Sequence, residues 1–266
     1  MGVMAVSMRS HDVIMGRSVA GQNVTLDIFA PNHLLLTGAT RSGKSAQLYA
    51  LLAQCRDLPV ICTGIDPSGI VFAGLGDGLG GADLRVMTTR DSERCIATLD
   101  EIVSMMDKRI TGLLEQRIDK IEAYDENTPL ILVVFEEYPG LLAAFGAIDA
   151  ANGARGKDRV ELKLKSAVQR LALEGAKAGV KLVLLAQRAD ASLLTGVLRS
   201  QLTARFSFRQ DSDGLRMLHE EITPAQINTM THFLPGMGYV EIAGTTPITQ
   251  YRADFIGYQD FVRVFS

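Results

Sequence analysis

The sequence predicts an α/β protein built on a mostly parallel sheet with helices on both faces. Three observations carry this. A phosphate-binding loop, GATRSGKS at residues 38–45, stands between an apolar run and a helical segment. Residues 34–36, 59–65, 130–135 and 180–186 are almost unbroken apolar runs rich in β-branched side chains, as strands buried on both faces are. The segments between them repeat apolar residues at three- and four-residue steps, the period of crossover helices.

In chain order, residues 13–29 read as a β-hairpin turning at Ala20, Gly21, Gln22 and Asn23. Residues 34–36 form the first core strand, and the helix after the phosphate loop runs to about Cys55. PVICTGI, residues 59–65, is a second buried strand that ends at Asp66 and Pro67. The Gly-rich residues 69–83 read as loop with a short helical piece, and Arg85, Val86 and Met87 as a short strand. A long amphipathic helix is expected from Asp91 to Tyr124, its stripe formed by Ile96, Leu99, Ile102, Met105, Met106, Ile110, Leu113, Leu114 and Ile118. LILVVF, residues 130–135, is a central strand, and residues 147–159 read as a flexible insertion. A helix over 161–178 stops at Gly179, strands follow at 180–186 and 204–208, and helical pieces at 214–219 and 224–230. Strands near 238–242 and 248–251 close the fold. No linker separates independent domains, so residues 1–30 are expected as a lead-in hairpin packed on a core of residues 31–266.

Composition narrows the function classes. With 266 residues, 47% of them hydrophobic, the chain can bury one large core. No apolar stretch approaches the roughly 18 residues of a membrane span. The start, MGVMAVSMRS, lacks a charged segment followed by an apolar one, and Val6 breaks the myristoylation pattern. The expectation is a cytoplasmic protein whose membrane contacts, if any, run through a partner. Cys55, Cys62 and Cys95 are odd in number and lack metal-ligand spacing, which suits core thiols in a reducing compartment. Net charge is only −3, but residues 152–219 hold 13 Lys and Arg against 6 Asp and Glu. That excess is either an anion-binding surface or a solvated helical face.

The chemistry is concentrated at the phosphate loop. Gly38 and Gly43 allow the backbone N–H groups around Ala39, Thr40, Arg41 and Ser42 to face a triphosphate. Lys44 can reach its β and γ oxygens, and Ser45 can ligand Mg²⁺, so ATP and Mg²⁺ are the expected cofactors. The LILVVF strand ends in Glu136 and Glu137. Glu136 is assigned to the metal and its waters, Glu137 to polarising the attacking water; the alternative is an acidic helix N-terminus. Gln187 ends the KLVLLAQ strand, where it could sense a γ-phosphate or simply face solvent.

The ordered set GATRSGKS, IDPSG, LILVVFEE and GVKLVLLAQR, extended by LLTGVLRSQLTARFSF and DGLRMLH, resembles the FtsK/SpoIIIE family of DNA translocases in the HerA/FtsK superfamily. EEYPGLL and QRAD…LRMLH look most like the Tra-type translocases of actinobacterial plasmids, integrative elements and phages. The resemblance covers about residues 13–256. It implies a RecA-like P-loop NTPase core, a homo-oligomeric ring, specifically a hexamer, and ATP-driven movement of double-stranded DNA through the channel. It carries Lys44 and Ser45 to nucleotide and Mg²⁺, Glu136 and Glu137 to hydrolysis, Gln187 to γ-phosphate sensing, and Arg216 to a DNA-contacting pore loop. Arg209 and Arg205 are candidates for DNA-phosphate or subunit-interface contacts, or ordinary surface arginines. The sequence departs from the family where Ala176 occupies the position of an interfacial arginine, for which Lys177 or Arg170 could substitute. It departs again at Arg41, where a Gly is usual, and at the acidic Asp211 and Asp213. Two other readings stay open: a P-loop phosphotransferase acting on a small molecule, and an assembly or secretion ATPase that moves no DNA.

Overall fold

The computed structural model describes residues 11–189 and 195–266. The chain start inspected for targeting signals, the first third of the lead-in, and residues 190–194 of the QRAD and LLTGVLRSQ segments lie outside the described residues. A hairpin of β1 (Asp12–Ser18) and β2 (Asn23–Asp27) precedes β3 (Leu34–Thr37), the phosphate loop and α1 (Lys44–Gln54). Then come β4 (Val60–Ile65), α2 (Ile70–Leu75), β5 (Arg85–Val86), α3 (Ser92–Gln116), β6 (Leu130–Phe135), α4 (Tyr138–Ala151), α5 (Val160–Glu174) and β7 (Val180–Ala186). The chain closes with α6 (Gly196–Gln201), β8 (Ala204–Phe208), α7 (Ser212–Leu218), α8 (Pro224–Met230), β9 (Met237–Ile242), β10 (Thr246–Ala253) and α9 (Tyr258–Phe265).

Among the described residues all strands join one 10-stranded sheet in the order β2-β1-β10-β9-β8-β3-β7-β6-β4-β5. From β8 to β5 every pairing is parallel, and from β8 outward to β2 every pairing is antiparallel. The parallel half follows from the helical crossovers; the antiparallel wing follows from its two short hairpins. Alternation along the central strands sorts side chains to the two faces. Leu34 and Leu36 of β3 and Leu130, Leu132 and Val134 of β6 pack towards α1, α2 and α9. Leu35, Ile131, Val133 and Phe135 pack towards α3, α4 and α5. Both faces are therefore apolar, which explains runs with no polar alternation. Cys55, Cys62 and Cys95 are buried free thiols, and burial pushes Cys55 and Cys62 up to about 12.

The structure corrects several expected boundaries. Helix α3 stops at Gln116, not near Tyr124: Arg117 turns left-handed at φ 56, and the Ile118 N–H returns to the Leu113 carbonyl at 2.9 Å. Ile118 is consequently 47% exposed, and it and the exposed Leu114 lie outside the buried stripe. Residues 147–159 are not a free insertion. Helix α4 runs through Ala151, and the buried Asp149 carboxylate accepts the Val160 and Glu161 N–H groups, at 2.8 and 3.0 Å, that open α5. Helices α6 and α9 were not anticipated. In α9, Phe261 is fully buried and stacks on Tyr49 of α1 with ring centroids 4.7 Å apart. Among the described residues no helix is long and apolar enough to cross a membrane.

Phe261→Ala should cost about 3–5 kcal/mol, the usual range for deleting a buried aromatic ring. A lowered urea midpoint at unchanged slope is the expected reading. An unshifted midpoint would mean that α9 does not dock on α1.

Candidate nucleotide site

The parallel register brings the site together. Thr37, the last residue of β3, pairs with Ala186 of β7 and Ser207 of β8, so the phosphate loop leaves the middle of the sheet at its carboxyl edge. At Gly38 (φ 146) a Cβ would stand 2.6 Å from both the Phe208 Cβ and the Ser42 Oγ, so no side chain fits there. The loop is pinned by its backbone: Gly38 N–H donates to the Ala186 carbonyl (3.2 Å), Ala39 N–H to the Arg209 carbonyl (2.8 Å), and Gly236 N–H to the Ser42 carbonyl (2.8 Å). Arg41 takes φ 63, a left-handed conformation that costs a side chain about 1–2 kcal/mol. This turn prefers glycine, yet it holds an arginine that is exposed.

Lys44, the first residue of α1, is 8% exposed and donates to the carbonyls of Gly38 and Ala39. Burial lowers its pKa, and the nearby charges of Glu137 and Glu136 oppose that shift. Those carboxylates follow β6, in which Phe135 pairs with Leu184 of β7. Glu137 is the N-cap residue of α4, in a left-handed conformation (φ 57, ψ 57), and accepts the Gln187 N–H at 3.3 Å. Burial lifts the Glu137 carboxyl above its ordinary value. Glu136 is lifted further, to about 7, first by burial and then by the like charges of Asp66 and Glu137, with Lys44 opposing.

Asp66 is a member of this group that sequence reasoning did not assign a role. It directly follows β4, is fully buried and accepts from Ser68 N–H (2.9 Å), Ser68 Oγ (2.7 Å) and Val71 N–H (2.8 Å), organising the turn into α2. The signal was its place in IDPSG, a strand end followed by turn residues. Also missed was a buried polar chain behind the loop. Gln210 donates to Thr37 Oγ1 (2.9 Å), Thr37 meets Ser207 Oγ (3.2 Å), Ser207 meets His219 Nε2 (2.7 Å), and His219 Nδ1 meets Glu241 (2.7 Å). Ser207 and His219 are both fully buried, so this Ser–His–Glu series braces the loop and offers no accessible nucleophile. The contact with His219 holds the Glu241 carboxyl below its ordinary value.

The remaining candidates divide. Arg209 and Arg216 are exposed on the carboxyl edge beyond β8, and the Arg209 carbonyl itself holds the phosphate loop. Asp211 accepts the Gly214 N–H (2.8 Å) as the N-cap of α7 and lies 3.7 Å from Arg188, which gives the acidic stretch a structural use. Arg205 is not brought to the site: its guanidinium is committed to the carbonyls of Leu202, Leu218 and Arg199. Arg170 and Lys177 precede β7, at the opposite edge of the sheet. Arg170 is paired with Asp107 (2.7 Å) and Glu174 (2.9 Å), whereas Lys177 is exposed.

The residues present fit a magnesium nucleotide. Ser42 Oγ is a buried polar atom without a hydrogen-bond partner inside the loop. Lys44 is satisfied only by its own loop's carbonyls. Two carboxyls held above their ordinary values by burial would be drawn back towards their charged forms by a cation. Among the described residues no group of three or more His, Cys, Asp or Glu forms a metal cage. A Mg²⁺ ion here would draw its other ligands from phosphate and water, as this ion commonly does. A cavity of about 350 Å³ opens beside the loop, between it and the ends of β9 and β10.

A sequence model of the FtsK/SpoIIIE family matches residues 5–223. The DNA translocase FtsK of Treponema pallidum is 26% identical over 215 residues, 75% of this chain and 24% of that protein. Its counterpart in Helicobacter pylori strain 26695 is 26% identical over 199 residues, 73% of this chain and 22% of that protein. The chain spans about a quarter of the length of these curated relatives. Among solved structures, the pCW3 conjugation coupling protein TcpA with ATPγS aligns over 100% of this chain and 73% of its own, with a TM-score of 0.66 at 18% identity. The cytoplasmic domain of the type VII secretion ATPase EccC of Thermomonospora curvata aligns over 96% and 31%, with a TM-score of 0.69 at 19% identity. At such identities the likeness concerns the fold, which is the P-loop ATPase fold.

The elevated Glu136 carboxyl makes stability pH-dependent. Its folded pKa lies above the unfolded value of 4.5, so its contribution to stability falls as pH rises from 4.5 towards 7 and stays lost above that. In nucleotide-free protein, Glu136→Gln should therefore raise Tm relative to wild type at pH 8, with a smaller gain at pH 5. An identical Tm difference at both pH values would contradict this.

Proposed function

The chain belongs to the FtsK/SpoIIIE family, and from that premise we propose that it is the motor core of an ATP-driven translocase of double-stranded DNA. The observation that carries the reading is the convergence of Lys44, Glu136, Glu137 and Gln187 on one sheet edge beside the phosphate loop. In this reading Lys44 leaves the Gly38 and Ala39 carbonyls for the β and γ oxygens, which replaces a weakly satisfied ammonium by a charge-assisted contact. Ser45 and Glu136 would hold Mg²⁺, which when bound would neutralise charge on the phosphates. As a ligand Glu136 would have to be ionised, a state favoured as pH rises through about 7. Glu137 accepts a proton from the attacking water at a carboxylate oxygen. Its link to Gln187 gives the β7 strand end a means of sensing the γ-phosphate.

DNA would meet the same edge through Arg216 and Arg209. Such contacts are to phosphates, hence indifferent to sequence and weakened by salt. Assembly is proposed as a head-to-tail ring, a hexamer by family analogy, in which a neighbour completes the site. The exposed Lys177 is better suited to that contact than Arg170, whose charge is already paired. Small-molecule phosphotransfer has less support, because family membership favours DNA as the partner and a carboxylate on the water side suits hydrolysis.

An ATPase assay with and without long duplex DNA, across protein concentration, tests the reading. Lys44→Ala should abolish hydrolysis. Glu137→Gln should bind ATP while losing turnover by about 10²–10⁴-fold, the usual contribution of a general base. Arg216→Ala should reduce the DNA-stimulated rate and leave the basal rate intact. Phosphate release indifferent to duplex DNA at every protein concentration would remove the translocase reading.

A further inference from the structure

Strand β8 hands the chain to α7, the helix that carries Arg216, through Arg209, Gln210 and Asp211. Each of these is held by an element that reaches the nucleotide site. The Arg209 carbonyl accepts the Ala39 N–H of the phosphate loop at 2.8 Å. Asp211 caps α7 and lies 3.7 Å from Arg188, the residue after Gln187. Gln210 joins two strand ends. Its Oε1 accepts the Ala189 N–H beyond β7 at 3.4 Å, and its Nε2 donates to Thr37 Oγ1 at the end of β3 at 2.9 Å. A backbone N–H can only donate, so it fixes the amide oxygen towards Ala189 and leaves the NH₂ for Thr37.

Thr37 directly precedes the phosphate loop, and its buried hydroxyl is where the two ends of α7 meet. From the start of the helix comes the Gln210 amide. From its end comes His219, whose Nε2 meets Ser207 Oγ at 2.7 Å, with Ser207 Oγ 3.2 Å from Thr37. Thr37 has one proton to give. With Gln210 donating to it, that proton goes to Ser207, and the chain is polarised in one direction. The first turn of α7 also rests on Gln210: a Cβ on Gly214 would stand 3.1 Å from its Oε1 and 3.4 Å from the Ala189 carbonyl. A shift of α7 therefore disturbs the ends of β3 and β7 together.

We infer that Gln210 is a positioning residue that couples DNA on α7 to the phosphate loop and to Gln187, through the one amide that joins Thr37 to Ala189. The inference rests on the translocase reading, in which Arg216 meets DNA. In that reading Gln210 holds neither ligand, so its loss separates the two sites while each keeps its own ligand.

The ATPase of the whole chain, measured with and without long duplex DNA, tests this, alongside separate titrations with duplex alone and with Mg²⁺ and a non-hydrolysable ATP analogue alone. Gln210→Met keeps the length of the side chain and makes neither hydrogen bond. Its DNA-free kcat and KM and both separate affinities should match wild type, while the stimulation by duplex falls about fivefold or more, a typical coupling between sites. Thr37→Val, which removes the hydroxyl, should lose stimulation to the same degree, with no further loss in the double variant, and Thr37→Ser should keep it. Full stimulation in Gln210→Met or in Thr37→Val overturns the inference. Weaker binding of the analogue by Gln210→Met without DNA also overturns it, because the side chain would then only support the loop. Wild-type hydrolysis indifferent to duplex removes the translocase reading itself, and this inference with it.

Discussion

Strands β8, β3, β7, β6 and β4 run parallel, so each ends on the same edge of the sheet and the loop after each opens onto the same space. That pairing is the constraint on which the rest depends. Residues far apart in sequence, such as Lys44 and Gln187, become neighbours of the same carboxylate because β7 lies between β3 and β6. The apolar ladder that fixes the pairing carries no chemistry itself. It sets the register, and the register places the first polar residue past each strand end.

The same geometry explains the unsettled electrostatics. Asp66, Glu136 and Glu137 crowd one edge with a single buried lysine among them, and desolvation disfavours the charges of Lys44, Glu136 and Glu137. Glu137 also occupies a left-handed backbone conformation, and so does Arg41 on the loop. Strain and uncompensated charge gather where a polyanion and its cation would relieve them, which is the usual arrangement at functional sites. Around this edge the framework is well satisfied. Arg85 is spent on the carbonyls of Cys62, Gly76, Gly78 and Gly80, and the chain from Gln210 to Glu241 stiffens the ground behind the loop.

Legibility in the sequence followed the strength of the local signal. β7 occupies residues 180–186 and α8 residues 224–230, as periodicity and punctuation indicate, because Gly179 turns left-handed and Thr223 with Gln226 closes a capping box. Helix α3 ran too long in the reading because Ile118 continues its apolar step, while Arg117 supplies the left-handed stop that glycine normally announces. Residues 147–151 looked like loop for their small and polar content, but they are the last turn of α4, and Asp149 is aimed inward as a cap for α5. Helix α9 was invisible because its eight residues gain their stability from Tyr49 and the close approach of Gly74. Neither lies within its own sequence window.

By itself the sequence determined the kind of chemistry: a glycine-framed loop with Lys44 and Ser45, acids at the end of an apolar strand, and a set of buried parallel strands. These are local properties, since a turn needs its glycines and a two-faced strand its apolar run whatever surrounds them. Tertiary structure decided which of the many charged residues share a space. It brought Asp66 beside Glu136, tied Arg205 to backbone carbonyls and Arg170 to Asp107 and Glu174, and set Phe255 against the loop. Those outcomes depend on strand order and backbone pairing between distant segments, and no spacing along the chain encodes them.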